Sequence, residues 1–273
     1  MRPVDLAAFM ENLAIRSGEA ILPFFRTQLS VQDKGGQLRH GAEGGTAPFD
    51  PVTEADRAAE TVIRRLIREA FPDHGILGEE FADEKLDAEH VWVIDPIDGT
   101  RAFICGLPVW GTLIGLMKGG QAVLGVMNQP YIGEVFSGNG AKAEVKGPRG
   151  ARPLVTRDCT RLAGAHLMTT DPRLFKGAER VAYDAVERQV KLTRYGADCY
   201  AYAMLAAGQV DIVIETGLKP YDIVALIPII EGAGGVVTTW AGASATDGGQ
   251  IVASATPALH EIVLSVLKDG VLP

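Results

Sequence analysis

The decapeptide Val91-Trp92-Val93-Ile94-Asp95-Pro96-Ile97-Asp98-Gly99-Thr100 decides how the rest of the chain is read. An apolar run of strand-like composition ends abruptly in two carboxylates, a glycine and a threonine. A short apolar run bounded by turn formers reads as a buried strand over 91–94, with residues 95–100 as the turn at its exit. Pro96 stiffens that turn and removes one backbone donor. Gly99 permits a positive φ or a close approach of backbone. Two carboxylates three residues apart repel each other unless a cation lies between them. A hard, oxygen-ligated divalent cation is the simplest resident of such a turn. The plain alternative is a strand followed by a solvated, Asp-rich turn.

Outward from this stretch the chain alternates in type. Before it come an amphipathic helix over 5–28 interrupted by Pro23, a long Gly-rich loop over 31–51, a helix over 54–70 and a short strand over 76–80. Lys34, Arg39 and His40 put positive charge on the loop, with Lys34 a candidate phosphate contact. After it, residues 110–156 read as an antiparallel meander, with a hairpin turn at Gly119-Gly120. The second half alternates strands (165–169, 191–195, 211–215, 236–240, 251–254) with helices (177–190, 198–207, 222–232, and a last one capped by Thr256-Pro257). No flexible linker is visible. One domain over 1–273, built from two packed sub-domains of roughly 1–156 and 157–273, is expected.

Composition narrows the class. Hydrophobic residues make up 47% and charged ones 22%, enough for a sizeable core. A net charge of -8 argues against a general nucleic-acid or anionic-membrane binder, but not against an anionic small substrate whose charge is met by bound cations. Cys105, Cys159 and Cys199 form no C-x-x-C pair, so neither a disulfide framework nor a zinc ribbon is supported. The N-terminus lacks a signal-peptide core, and no apolar run reaches the ~18 residues of a membrane span. A soluble cytoplasmic protein is expected.

Four acidic segments lie at the edges of regular elements: Asp56, Glu79-Glu80, Asp95 with Asp98, and Asp222. Each has an ordinary explanation. Asp56 can complete a capping box with Thr53, Glu79 can be an exposed strand end, and Asp222 can cap a helix. They become a site only if the fold makes them converge.

Thr53-Glu54-Ala55-Asp56, Gly78-Glu79-Glu80, Asp95-Pro96-Ile97-Asp98-Gly99-Thr100 with Phe103, and Pro220-Tyr221-Asp222 before Gly232-Ala233-Gly234-Gly235 together resemble the inositol monophosphatase family. The resemblance covers essentially the whole chain. It implies a layered α/β fold, an αβαβα sandwich, and a magnesium-dependent phosphomonoester hydrolase using two or three Mg²⁺. By position it implies Glu79, Asp95, Asp98, Asp222 and the Ile97 carbonyl as metal ligands. Glu79, Thr100 and Asp56 would steer the attacking water or accept its proton. Asp98, Gly99 and Thr100 would face the phosphate. A homodimer is also implied. The two residues between Asp95 and Asp98 separate this motif from the D-x-D-G-T of haloacid-dehalogenase-type phosphatases, so Asp95 reads as a ligand and the nucleophile as water.

Arg194-Tyr195-Gly196-Ala197-Asp198-Cys199-Tyr200 and Glu215-Thr216-Gly217-Leu218-Lys219-Pro220-Tyr221-Asp222 resemble the branch of that family that hydrolyses histidinol phosphate. The resemblance makes Arg194, Gly196, Ala197, Asp198, Glu215 and Asp222 candidate substrate contacts. Histidinol carries an ammonium and an imidazole, whereas inositol carries neutral hydroxyls. An added carboxylate at Asp198 beside Glu215 would favour the cationic alcohol. Asp198 could equally be the N-cap of the helix that begins there. The expected activity is therefore histidinol-phosphatase, in histidine biosynthesis. The alternatives are an inositol or broad sugar monophosphatase, and a catalytically silent member that binds a metal or a partner.

Overall fold

The computed structural model describes residues 5–27, 31–33 and 51–271. Lys34, Arg39 and His40 lie outside the described residues. Helix α1 (Leu6–Ile21) is capped by the Asp5 side chain and gives way to a single 3₁₀ turn, Leu22–Phe24, where Pro23 breaks the longer helix expected over 5–28. The expected loop over 31–51 has paired ends: β1 (Val31–Asp33) runs antiparallel to β2 (Pro51–Thr53). Helix α2 (Glu54–Ala70) leads to β3 (Gly75–Gly78). Then β4 (His90–Asp98) runs into the short α3 (Thr100–Ile104). The meander follows as β5 (Gly111–Lys118), β6 (Gln121–Gln129), β7 (Glu134–Gly138), β8 (Ala143–Gly147) and β9 (Gly150–Pro153). Strands β3 to β9 form one sheet in sequence order, parallel only between β3 and β4.

The second sheet mixes directions. Its elements are β10 (His166–Thr169), α4 (Gly177–Glu187), β11 (Leu192–Tyr195), α5 (Asp198–Ala206), β12 (Ile212–Leu218), α6 (Pro220–Ile223), α7 (Ile227–Gly232), β13 (Val236–Thr239), β14 (Gly249–Ser254) and α8 (Pro257–Val271). The strand order is β11-β10-β12-β14-β13, parallel on either side of β10 and antiparallel beyond β12. Two expectations need correction. The helix expected over 222–232 is two helices, because Pro228 cannot donate to the preceding turn and instead sits in the first turn of α7. The strand expected over 211–215 continues to Leu218, with an irregularity between Glu215 and Leu218.

Alternation along the strands sorts side chains into layers. Trp92, Ile94, Ile114, Leu116 and Val126 pack under Met10 and Leu13 of α1 and Ile63 and Ile67 of α2. The opposite face of the first sheet gives Leu113, Met127 and Phe136 to a middle layer with Leu205 of α5, Ile223 of α6 and Ile229 and Ile230 of α7. Val213, Ile251 and Ala253 reach that layer from the second sheet, while Ile212, Ile214 and Val252 point the other way, onto Tyr183 of α4 and Leu259 and Val263 of α8. The result is an αβαβα sandwich. Fully burying each such aliphatic side chain contributes about 1.5–3 kcal/mol. Among the described residues no helix is long and apolar enough to cross a membrane.

Thr256 caps α8 by accepting from the Leu259 N–H at 3.2 Å, and one turn on lies the buried His260. Its ring nitrogens meet Ser254 Oγ at 3.1 Å and Thr238 Oγ1 at 2.9 Å, so neutral imidazole is satisfied on both sides. Burial lowers its pKa from 6.5 to about 4. The unfolded chain therefore binds this proton at a higher pH than the folded one, and stability falls as pH drops from 6.5 towards 4. The loss attributable to this group is at most roughly 3 kcal/mol. His260→Gln should flatten that part of the acid arm when urea midpoints are compared between pH 7 and 4.5. An unchanged slope would remove His260 as its cause.

Candidate active site

Both carboxylates of the decapeptide lie within β4 rather than in a turn after it. Strand β5 runs alongside, pairing Asp95 with Leu113 and Asp98 with Gly111. The ladder skips between these pairs, where Pro96 has no N–H to donate. This irregularity decides the site. In a regular strand, residues three apart face opposite sides of the sheet. Here the slip lets Ile97 pack against Ala55 and Ala59 of α2, while Asp95 and Asp98 both reach Asp222. Carboxylate oxygens of Asp95, Asp98 and Asp222 lie within 4.8 Å of one another.

Three more elements aim at this cluster. Asp222 sits in α6 and accepts from the Lys219 N–H at 2.6 Å, so it caps its own short helix while joining the cluster. Glu79 follows β3 and is tied to β4 by its N–H, which donates to the Ile94 carbonyl at 3.2 Å. Asp56 is buried in the first turn of α2. Burial, then the charges of Glu79, Asp98, Asp222 and Asp56, push Asp95 well above the usual carboxylate range. Burial, with Glu79 adding to it, raises Asp222 to about 7. Thr100 donates its hydroxyl to the Ile97 carbonyl at 3.0 Å.

A second group of acids adjoins the first. Asp98 Oδ2 accepts from the Cys199 N–H at 2.6 Å, so α5 is capped by a carboxylate from the other sheet. Asp198, expected as a possible N-cap, is instead the first helical residue, and Ala197 holds the cap position without a side-chain bond. Asp198 has φ of +42°, a left-handed conformation uncommon for any residue with a Cβ. Its half-buried carboxylate lies against Gly99, and a Cβ added at Gly99 would meet Asp198 Cβ and Oδ2 at 3.1 Å. Glu215 on β12 accepts from the Thr170 N–H at 2.6 Å. Burial is the main cause of its rise to about 8, with the charge of Asp198 adding to it.

This donor set fits a hard divalent cation. It is all oxygen, it is clustered, and Asp95 Oδ1 is buried with no hydrogen-bond partner among the described residues. Asp95, Asp98 and Asp222 could hold the ion, with Glu79 beside them.

The profile of the inositol monophosphatase family matches residues 3–271. The chain belongs to the inositol monophosphatase family. Within it, the chain is 44% identical over 239 residues to the chloroplastic bifunctional phosphatase IMPL2 of Arabidopsis thaliana, covering 86% of this chain and 64% of that relative's length. It is 33% identical over 270 residues to the histidinol-phosphatase of Chlorobaculum parvum, covering 97% of each. A solved inositol monophosphatase from Zymomonas mobilis superposes with a TM-score of 0.83 at 37% identity, covering 97% of this chain and 98% of that one.

Other residues of the family-like segments are placed as follows. Gly196 and Ala197 form the entry to α5, and the Gly196 N–H donates to Thr169 at 3.2 Å. Arg194 lies on the edge strand β11, paired with Met168, and its side chain is exposed. Three contributors escaped the sequence reading. The Thr170 N–H holds Glu215. Arg101 offsets the charge of Asp198. Tyr202 is buried one helical turn after Asp198, its hydroxyl unpartnered among the described residues and exposed to the fields of Glu215, Asp98 and Asp222. The i, i+4 spacing from Asp198 was its only visible signal.

Gly99 lies against Asp198, with φ of +84°. Gly99→Ala should cost about 1–2 kcal/mol from backbone strain alone. It should also displace Asp198, lowering turnover at least tenfold with a melting point reduced by a few degrees. A variant with wild-type kinetics would mean that Asp198 does not hold this position in solution.

Proposed function

We propose that the protein is a magnesium-dependent phosphomonoester hydrolase whose preferred substrate is L-histidinol phosphate, cleaved to L-histidinol and phosphate in histidine biosynthesis. The observation that carries the substrate reading is the half-buried Asp198 with the buried Glu215 beside the Asp95–Asp98–Asp222 cluster. Three carboxylates and Glu79 suffice for cations and phosphate. Two more close by, Asp198 and the buried Glu215, call for a positive leaving group. The ammonium of histidinol answers that charge with charge-assisted hydrogen bonds, whereas the hydroxyls of inositol leave it unbalanced.

Bound Mg²⁺ would supply charge neutralisation for the phosphate and a more acidic water. Asp95, Asp98, Asp222, Glu79 and the Ile97 carbonyl would hold it. The chain's own groups do the rest. Thr100, fixed by its bond to the Ile97 carbonyl, presents a hydroxyl oxygen that accepts from the attacking water. Glu79, with Asp56 behind the cluster, takes the proton that water loses. A new O–P bond forms as the ester P–O bond breaks, and the leaving alkoxide takes a proton from solvent water and departs as the alcohol past Asp198 and Glu215. Gly99 and Thr100 offer donors to the phosphate oxygens.

The histidinol-phosphatase relative supports this reading, and the inositol monophosphatase structure favours the alternative substrate. Relative kcat/KM on the two esters decides between them. Faster turnover of inositol phosphate would refute the substrate assignment. Asp198→Ala should lower kcat/KM for histidinol phosphate by about 10- to 100-fold, the worth of one charged hydrogen bond, and leave inositol phosphate nearly unchanged. Asp95→Asn, or removal of Mg²⁺ by chelation, should abolish nearly all turnover of either ester.

A further inference from the structure

Helix α2 carries a second function besides covering the first sheet. Asp56, Glu60 and Arg64 recur every four residues and form one stripe. All three are buried, although charged side chains are rarely buried in full. Asp56 acts on the carboxylate cluster. Glu60 and Arg64 bind the chain just after Glu79.

Residues 79–83 leave the sheet without regular structure of their own. Glu60 Oε2 accepts from the Glu80 N–H at 2.8 Å. Arg64 donates to the Phe81 carbonyl at 3.0 Å and to the Ala82 carbonyl at 2.9 Å. The two side chains are joined at 2.7 Å, and Arg64 also reaches Glu84 at 2.7 Å. Gly78 lets them lie flat on the backbone, since a Cβ there would fall 2.1 Å from Glu60 Oε1 and 2.7 Å from Arg64 Nη2. A buried ion pair is a costly way to fasten a helix to a sheet. Ala59, Ile63 and Ile67 already fasten α2 by apolar contact. The bonds made by the pair are spent instead on backbone groups of the three residues that follow Glu79: the Glu80 N–H and the Phe81 and Ala82 carbonyls.

We propose that Glu60 and Arg64 are positioning residues for Glu79, holding the 79–82 backbone so that the Glu79 carboxylate stays at the cation site. The proposal rests on the reading that Glu79 holds Mg²⁺. Removing Glu60 frees the Glu80 N–H and lets Glu79 drift, which weakens cation binding while the phosphate and alcohol contacts stay intact.

The test is calorimetric titration of the substrate-free protein with Mg²⁺, together with the Mg²⁺ dependence of turnover. Glu60→Ala should raise the Mg²⁺ dissociation constant about tenfold or more, the range seen when a metal ligand loses its support. KM for the phosphate ester at saturating Mg²⁺ should stay within about twofold of wild type on the same grounds. Glu60→Gln keeps an oxygen for the Glu80 N–H and should recover most of the affinity. Gly78→Ala, which pushes Glu60 away while leaving it in the chain, should reproduce the weakening, and it should add nothing in the Glu60→Ala background. If Glu60→Ala does not fold, Gly78→Ala carries the measurement. A folded Glu60→Ala or Gly78→Ala protein with wild-type Mg²⁺ affinity overturns the proposal. Glu79→Gln, run in parallel, separates the two layers of inference. If it weakens Mg²⁺ binding and Glu60→Ala does not, only the positioning role fails. If it too leaves binding unchanged, the assignment of Glu79 to the cation falls, and the positioning role with it.

Discussion

Mutual repulsion among carboxylates buried at the end of β4 is the constraint on which the rest of this structure depends. Asp95, Asp98 and Asp222 crowd into a space where burial already penalises charge. No arrangement of the protein alone relieves this except protonation or an added cation. The fold accepts the penalty and surrounds it with order. Apolar layers lie on both faces of the first sheet, so the acids are held by strands and helices that cannot relax apart without exposing core.

How the acids come to share a face is a matter of one slipped register. Had β4 remained regular from Asp95 to Asp98, one carboxylate would have entered the α1–α2 layer in place of Ile97. The interruption at Pro96 turns Ile97 outward to Ala55 and Ala59 and leaves both acids on the inner side. Asp98 then joins the two sheets, because its carboxylate caps α5 through the Cys199 N–H. The end of β4 and the helix that begins at Asp198 are therefore tied to each other through Asp98 and Cys199, by a hydrogen bond of 2.6 Å from the Cys199 N–H. Helix α2 does the same on the other flank, through Glu60 and Arg64 and the backbone that follows Glu79. Asp98 and Gly99 stand where the Asp95–Asp98–Asp222 group of acids meets Asp198.

The layered α/β class, the meander over the first half and most helices could be read from periodicity, because alternating and helical spacings report directly which face is buried. The elements that differed share a cause. Pro228 sat inside an apolar run whose periodicity continued through it, so one helix was expected where two exist. The apolar periodicity of α2 carries no sign that Glu60 and Arg64 are buried. Only the approach of residues 80–82 buries them. Asp198 looked like a helix cap because caps are local, but Asp98 of the other sheet took that role.

By itself the sequence determined which residue types were available for metal and phosphate chemistry, and in what order. Spacing along the chain carries that information, and the Asp95–Thr100 motif is specific enough to name a family. The tertiary structure decided which of those residues meet. Asp56, Glu79, Asp95 and Asp222 come from four elements scattered over more than half the chain, and electrostatic crowding among them exists only once the layers pack. The face to which Asp98 points, the left-handed turn at Asp198 and the proximity of Asp198 to Glu215 likewise arise from contacts between distant segments. No local propensity encodes such contacts.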